Sequence, residues 1–225
     1  VTVVNSQQWL FFERHFAAPR LRHYLTECGG DEVLAMRLYK WNTELSAAFW
    51  ESLGHVEVAL RNTIDRQMSA RHASRGRSGH RIFDDHRELG RDKNGSGKHA
   101  QPYFDISVAI ERVRKNGKIL DPGQIVSEMS FGFWHQMVSK QQRFLWPDLA
   151  GGFPNMPGRG QEAVTTLALS LREIRNRIGH HHRIWAIDVA AKYSDLLTLA
   201  GLIDTDLEQW IGANSRVSIV LARRP

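Results

Sequence analysis

The clearest signal in the chain is helical periodicity. After Gly29-Gly30, apolar residues fall at Leu34, Leu38, Trp41, Leu45 and Ala48-Phe49, in the steps of three and four that line one face of an α-helix. Asp31 stands where an N-cap belongs, and the two glycines before it end a shorter helix over residues 20–27. The period resumes past Gly54 with Val56, Leu60, Thr63-Ile64 and Met68, which fits either two packed helices or one kinked helix. It returns over residues 105–113. Asp121-Pro122 then reads as an N-cap with proline at the first helical position, ahead of Ile125-Val126, Met129, Phe133 and Met137. Within that run, Phe131-Gly132-Phe133-Trp134 is an aromatic cluster whose helical spacing assigns it to a core. Val164, Leu167-Ala168, Leu171, Ile174 and Ile178 mark a strongly amphipathic helix. Another follows with Ile187, Ala190, Tyr193 and Leu197, stopped by Gly201, and Thr205-Asp206-Leu207-Glu208 reads as a capping box for a last short helix.

Three stretches break the pattern. Residues 147–160 are rich in glycine and proline and read as a loop. Residues 217–221 have the β-branched density of a strand, although Asn214 is equally placed to cap a helix there. Residues 71–100 open with almost nothing to bury and carry eight Lys/Arg against four Asp/Glu. A loop that long is a solvated, mobile insertion or an arm that touches phosphates. The expectation is a single all-α domain over residues 1–225, a helical bundle with a long basic insertion at 71–100.

Composition narrows the partners more than the fold. The chain has 225 residues, 42% of them hydrophobic and 24% charged, enough apolar surface for a sizeable core and too much for a disordered chain. A formal charge of +6 and a pI near 9.8 make an anionic partner the first expectation. The single cysteine, Cys28, excludes a disulfide framework within one chain and suits a reducing compartment. No apolar run is long enough to cross a membrane and no targeting signal is visible. The expectation is a soluble cytoplasmic protein with no membrane partner.

The densest polar constellation closes the amphipathic helix: Arg172, Arg175, Asn176, Arg177, Gly179, His180, His181, His182 and Arg183. Asn176 and His180, four residues apart, share a helical face; Arg175 lies roughly 140° around the axis from His180. Three readings fit. Basic residues at a helix C-terminus complement its macrodipole and cap its carbonyls. A metal site is disfavoured within the helix, because the i, i+4 histidine spacing is absent, yet ligands from elsewhere in the fold keep it open. The third reading is phosphodiester chemistry. An RNA 2′-hydroxyl sits beside each phosphate, so cleavage needs only a proton carrier, for which histidine serves, and a cation for the phosphorane charge, for which arginine serves.

Arg175-Asn176-Arg177-Ile178-Gly179-His180 resembles the R-N-x-x-x-H motif of the HEPN superfamily. With Tyr39-x-Trp41-Asn42, Glu57-x-x-Leu60-Arg61-Asn62, Phe131-Gly132-Phe133-Trp134 and Arg183-x-Trp185 in this order, residues 15–200 resemble the Abi-like (abortive infection) bacterial proteins. The resemblance implies a HEPN-like helical bundle and a metal-independent endoribonuclease that needs no cofactor. It further implies products with a cyclic phosphate and a 5′-hydroxyl, and a phage-defence or toxin role. It makes RNA the partner, with an antitoxin protein or regulatory RNA as a further one, and assembles the active site across a homodimer. By that resemblance Arg175 stabilises the phosphate, Asn176 orients, and His180 acts as general acid or base. Arg172, Arg177, His181, His182, Arg183 and the Arg61-Asn62 pair are then candidate RNA contacts. Five residues after Arg61 stands Arg66 rather than histidine, so Arg61-Asn62 is not a second complete motif; Arg61 pairing with Glu57 to brace the bundle is the plainer reading. The alternative function is a HEPN-like scaffold that holds RNA or a protein without cutting.

Overall fold

The apolar stripe that begins at Leu34 and ends at Met68 belongs to one continuous helix. The computed structural model describes residues 2–83, 89 and 101–225, and in it α3 (Glu32–Ser74) runs for 43 residues, about 65 Å at 1.5 Å per residue. Gly54 lies inside it and does not divide it, because Leu53 and Val56 stay buried on the same face. Asp31 caps its start, the carboxylate accepting from the backbone N–H groups of Val33 and Leu34. The glycines before it, at φ 60° and 89°, supply the left-handed turn that separates α3 from α2 (Ala18–Glu27).

The remaining helices pack around this rod. α1 (Thr2–Phe16) and α2 lie against its first half. α4 (Gln101–Lys115), α5 (Pro122–Glu128), α6 (Phe131–Met137) and α7 (Trp146–Leu149) gather towards its far half, and α8 (Gln161–Gly179), α9 (Val189–Ile203), α10 (Thr205–Asn214) and α11 (Val217–Leu221) close the bundle. No strand occurs among the described residues; the protein is all-α. Phe131, Phe133 and Trp134 are fully buried, as their spacing required. One hydrophobic core extends from Trp9 to Val220.

Several local expectations are corrected. The run beginning at Asp121 is two helices, because Met129 adopts an extended backbone and Ser130 caps α6 through the Phe133 N–H. Residues 147–160 are short helical turns that bury Leu149, Phe153 and Met156. Gly201 does not stop α9. The helix ends instead at Asp204, whose carboxylate, rather than Thr205, caps α10. Residues 217–221 are helical.

The start of the basic stretch also differs from expectation. α3 continues to Ser74, Arg71 is buried in an ion pair with Asp148, and Arg81 is buried against Asp65. These cations hold helices together. Residues 84–88 and 90–100, which carry most of the expected insertion, lie outside the described residues.

Candidate functional site

The end of α8 is closed by backbone hydrogen bonds that fix where its basic residues project. His180 is the C-cap; its N–H donates to the Asn176 carbonyl at 2.9 Å, His181 N–H to Ile178 at 2.9 Å and His182 N–H to Arg177 at 2.7 Å. This is a Schellman closure, and His181, at φ 55°, takes the left-handed position that glycine usually fills. Arg20 on α2 donates to the His181 carbonyl, and Arg177 to the Arg183 carbonyl at 3.1 Å. Buried Asn42 on α3 holds the loop that follows: its Oδ1 accepts from Ile184 N–H at 2.8 Å and Trp185 N–H at 3.4 Å. From the chain's end, the Arg224 guanidinium lies 5.8 Å from the Trp41 ring and 5.9 Å from the Trp185 ring, and it pairs with Glu27 at 2.6 Å. Trp41 Nε1 donates to the Val220 carbonyl at 2.7 Å.

Arg175 leaves the opposite side of this helix end and enters an open cleft of about 1270 Å³ between α1, α2, α3 and α8. Its guanidinium carbon sits 5.3 Å from the centroid of the Trp50 ring, a cation–π contact. Gly179 leaves room beside that guanidinium; a Cβ there would lie 3.8 Å from Arg175 Nη1. Glu57, half-buried on α3, is pushed above the usual carboxylate range by burial and drawn back by Arg175 and then by Arg61. The acid expected to brace Arg61 is thus drawn more strongly by Arg175. The Nε atoms of Arg61, Arg175 and Arg177 are buried without a hydrogen-bond partner.

The other candidates distribute around this point. His180 and Asn176 are exposed; the ring of His180 lies 5.8 Å from that of His182 and does not line the Arg175 cleft. His181 lines that cleft and also a smaller pocket with Arg177, His182 and Arg183. Arg172 opens onto a separate cleft beside His135, whose pKa burial lowers most and Arg172 lowers further. Asn62 is exposed on α3. Among the described residues no group of three His, Cys, Asp or Glu side chains is placed to hold a metal ion.

The sequence model of the Abi-like protein family matches residues 6–186, most of the chain and the whole of the arrangement from Arg20 to Trp185. The chain belongs to the Abi-like family. No curated protein and no solved structure matches it. The family's association with abortive infection is consistent with a role for this Abi-like protein in that response. The matched segment contains Asn42, Glu57 and Trp50, which sequence reasoning did not select as site residues. Asn42 and Glu57 stood within quoted motifs, but nothing local distinguished Trp50 from the buried residues beside it. No helix among the described residues is long and apolar enough to cross a membrane.

Proposed function

We propose that this Abi-like protein is a metal-independent endoribonuclease of the HEPN type, acting in abortive infection or as a toxin, with its active site completed across a homodimer. The observation that carries the reading is the position of Arg175, a guanidinium held at the wall of an open, aromatic and cationic cleft one turn before a pair of exposed histidines. In the reaction, His180 takes the proton from a ribose 2′-hydroxyl, the freed oxygen attacks the adjacent phosphorus, and the bond to the 5′-oxygen breaks. A protonated histidine supplies the leaving oxygen's proton, leaving a 2′,3′-cyclic phosphate and a 5′-hydroxyl. Arg175 bears the phosphorane charge and Asn176 orients the reacting groups. His180 does not share a cleft with Arg175 within one chain. A second copy answers this by bringing its His180 to the first copy's Arg175. The same separation supports the second reading, a scaffold that binds RNA or a partner protein without cutting.

Labelled RNA incubated with the purified protein in excess EDTA separates the two. Cleavage is expected, with Arg175→Ala and His180→Ala each reducing it by about a hundredfold or more while circular dichroism stays unchanged. Mixing the two inactive variants should restore part of the activity, because one of the two shared sites then retains both residues. RNA binding without cleavage by the wild-type protein would favour the scaffold.

A further inference from the structure

Trp50 is misplaced for a core residue. The helical period buries its neighbours Ala48 and Phe49 completely, while Trp50 itself remains 43% exposed and faces the Arg175 cleft. The cleft continues past it along an aromatic wall, where the rings of Tyr39 and Phe16 lie 5.0 Å apart and tilted by 30°. Guanidinium cations enter from two helices, as Arg20 on α2 and Arg175 on α8 line it beside the imidazoles of His15 and His181. Glu51 is the one carboxylate lining it among the described residues, and Arg216 binds that group at 2.6 and 3.1 Å and lowers its pKa. What remains is an aromatic face beside a guanidinium, with the local negative charge already engaged.

Resting on the reading of RNA as substrate, we propose that Trp50 is the stacking platform for an unpaired nucleobase next to the phosphate held by Arg175. Every base presents a π-face to an indole, and single-stranded RNA recognition relies on such stacking. The guanidinium now over Trp50 belongs to a residue that lines the open cleft. A bound strand offers it a phosphate, a stronger partner than a ring, and offers the indole a base in its place. The volume of about 1270 Å³ exceeds that of a drug-sized pocket, about 300–1,000 Å³, and suits a stretch of chain rather than a single small ligand. Trp50 then selects for unstacked RNA, because a base locked in a duplex cannot present its face.

The test uses the full chain and a fluorescent hexanucleotide whose 2′-hydroxyls are methylated, so that it binds without being cut. Affinity is read by anisotropy across a salt series. Trp50→Ala should weaken binding about tenfold or more with the slope against salt unchanged, since no phosphate contact is lost. Trp50→Phe should retain most of the affinity, and Trp210→Ala, which removes an exposed ring outside the cleft, should change nothing. A hexanucleotide with one abasic position should bind wild-type protein more weakly and erase the difference between wild type and Trp50→Ala. Equal binding of RNA by wild type and Trp50→Ala overturns the platform and leaves the ribonuclease reading standing. Failure of the wild-type protein to bind any RNA overturns both. A shift in the sedimentation of RNA-free Trp50→Ala, with RNA affinity intact, assigns the ring to contact between chains and overturns the platform.

Discussion

His181 carries a backbone conformation that costs a side-chain-bearing residue on the order of 1 kcal/mol or more. Its φ of 55° is fixed by the closure of α8, and its carbonyl accepts from Arg20. Because both are backbone features, His181→Gly keeps them and removes the strain. The substitution should stabilise the protein by about 0.5–1 kcal/mol, read as a higher urea midpoint at unchanged m-value. A fall in the midpoint would mean that the imidazole contributes more to folding than its exposed position indicates. The sequence names His181 as a candidate RNA contact but does not mark its left-handed backbone, which a glycine at that position would have signalled. Asn42 was hidden for a different reason: the amides it satisfies are Ile184 and Trp185, more than 140 residues along the chain. The local motif marked the residue; only the fold supplies its partner.

Helix caps and stripes were legible wherever the relevant residues lie within one or two turns. Asp31, Asp121 and the apolar face of α8 all act locally, and their roles could be read directly. Gly201 misled as a stop, and Gly54 left one helix or two open, because tertiary packing outweighs the roughly 1 kcal/mol a helical glycine costs. Asn155 donates to the Gly201 carbonyl at 2.9 Å, and both flanking residues, Ala200 and Leu202, are buried. Gly152 shows the opposite relation between a glycine and its element. It lies where the turns after α7 press on α3, and a Cβ there would come 2.5 Å from Thr63 Cγ2 and 3.2 Å from Gln67 Cγ. Thr63 is buried and β-branched, so it has little freedom to move aside. Gly152→Ala should therefore destabilise the protein by about 1–3 kcal/mol, measured by denaturant unfolding. Gly54→Ala, which meets no atom within 4 Å, should be neutral or stabilising.

Across the molecule, burial of titratable groups ties stability to pH. His80 and His135 are each pushed below the ordinary 6.5, chiefly by burial and then by Arg81 and Arg172 respectively. A histidine lowered in the folded state takes up its proton first in the unfolded chain. Its contribution is complete above pH 6.5 and is lost as pH falls from there through the folded value. Urea midpoints should decline below pH 6.5, and His135→Gln should flatten part of that decline. A wild-type decline that His135→Gln leaves unchanged would place the titration elsewhere. The ion pairs of buried Arg71 with Asp148 and of buried Arg81 with Asp65 were the least legible feature at this scale. Arg71 and Arg81 counted as surplus positive charge in the sequence, whereas their partners lie on segments that only folding brings near.

The family match ends at residue 186, yet Trp41 gives its indole N–H to Val220, and Arg224 reaches back to Glu27 and to the ring of Trp185. A fragment trimmed to the shared segment would keep every motif and lose the groups that fasten them. Its indole at Trp41 would be left without an acceptor, the core beneath α9 and α11 would be bared, and the histidine loop would keep Asn42, Arg20 and Arg177 but lose the cation that Arg224 sets against Trp185. The segment that the family model covers is therefore shorter than the mechanical unit that holds the site, and a proteolytic cut beyond Trp185 is expected to loosen the site without touching any residue in it.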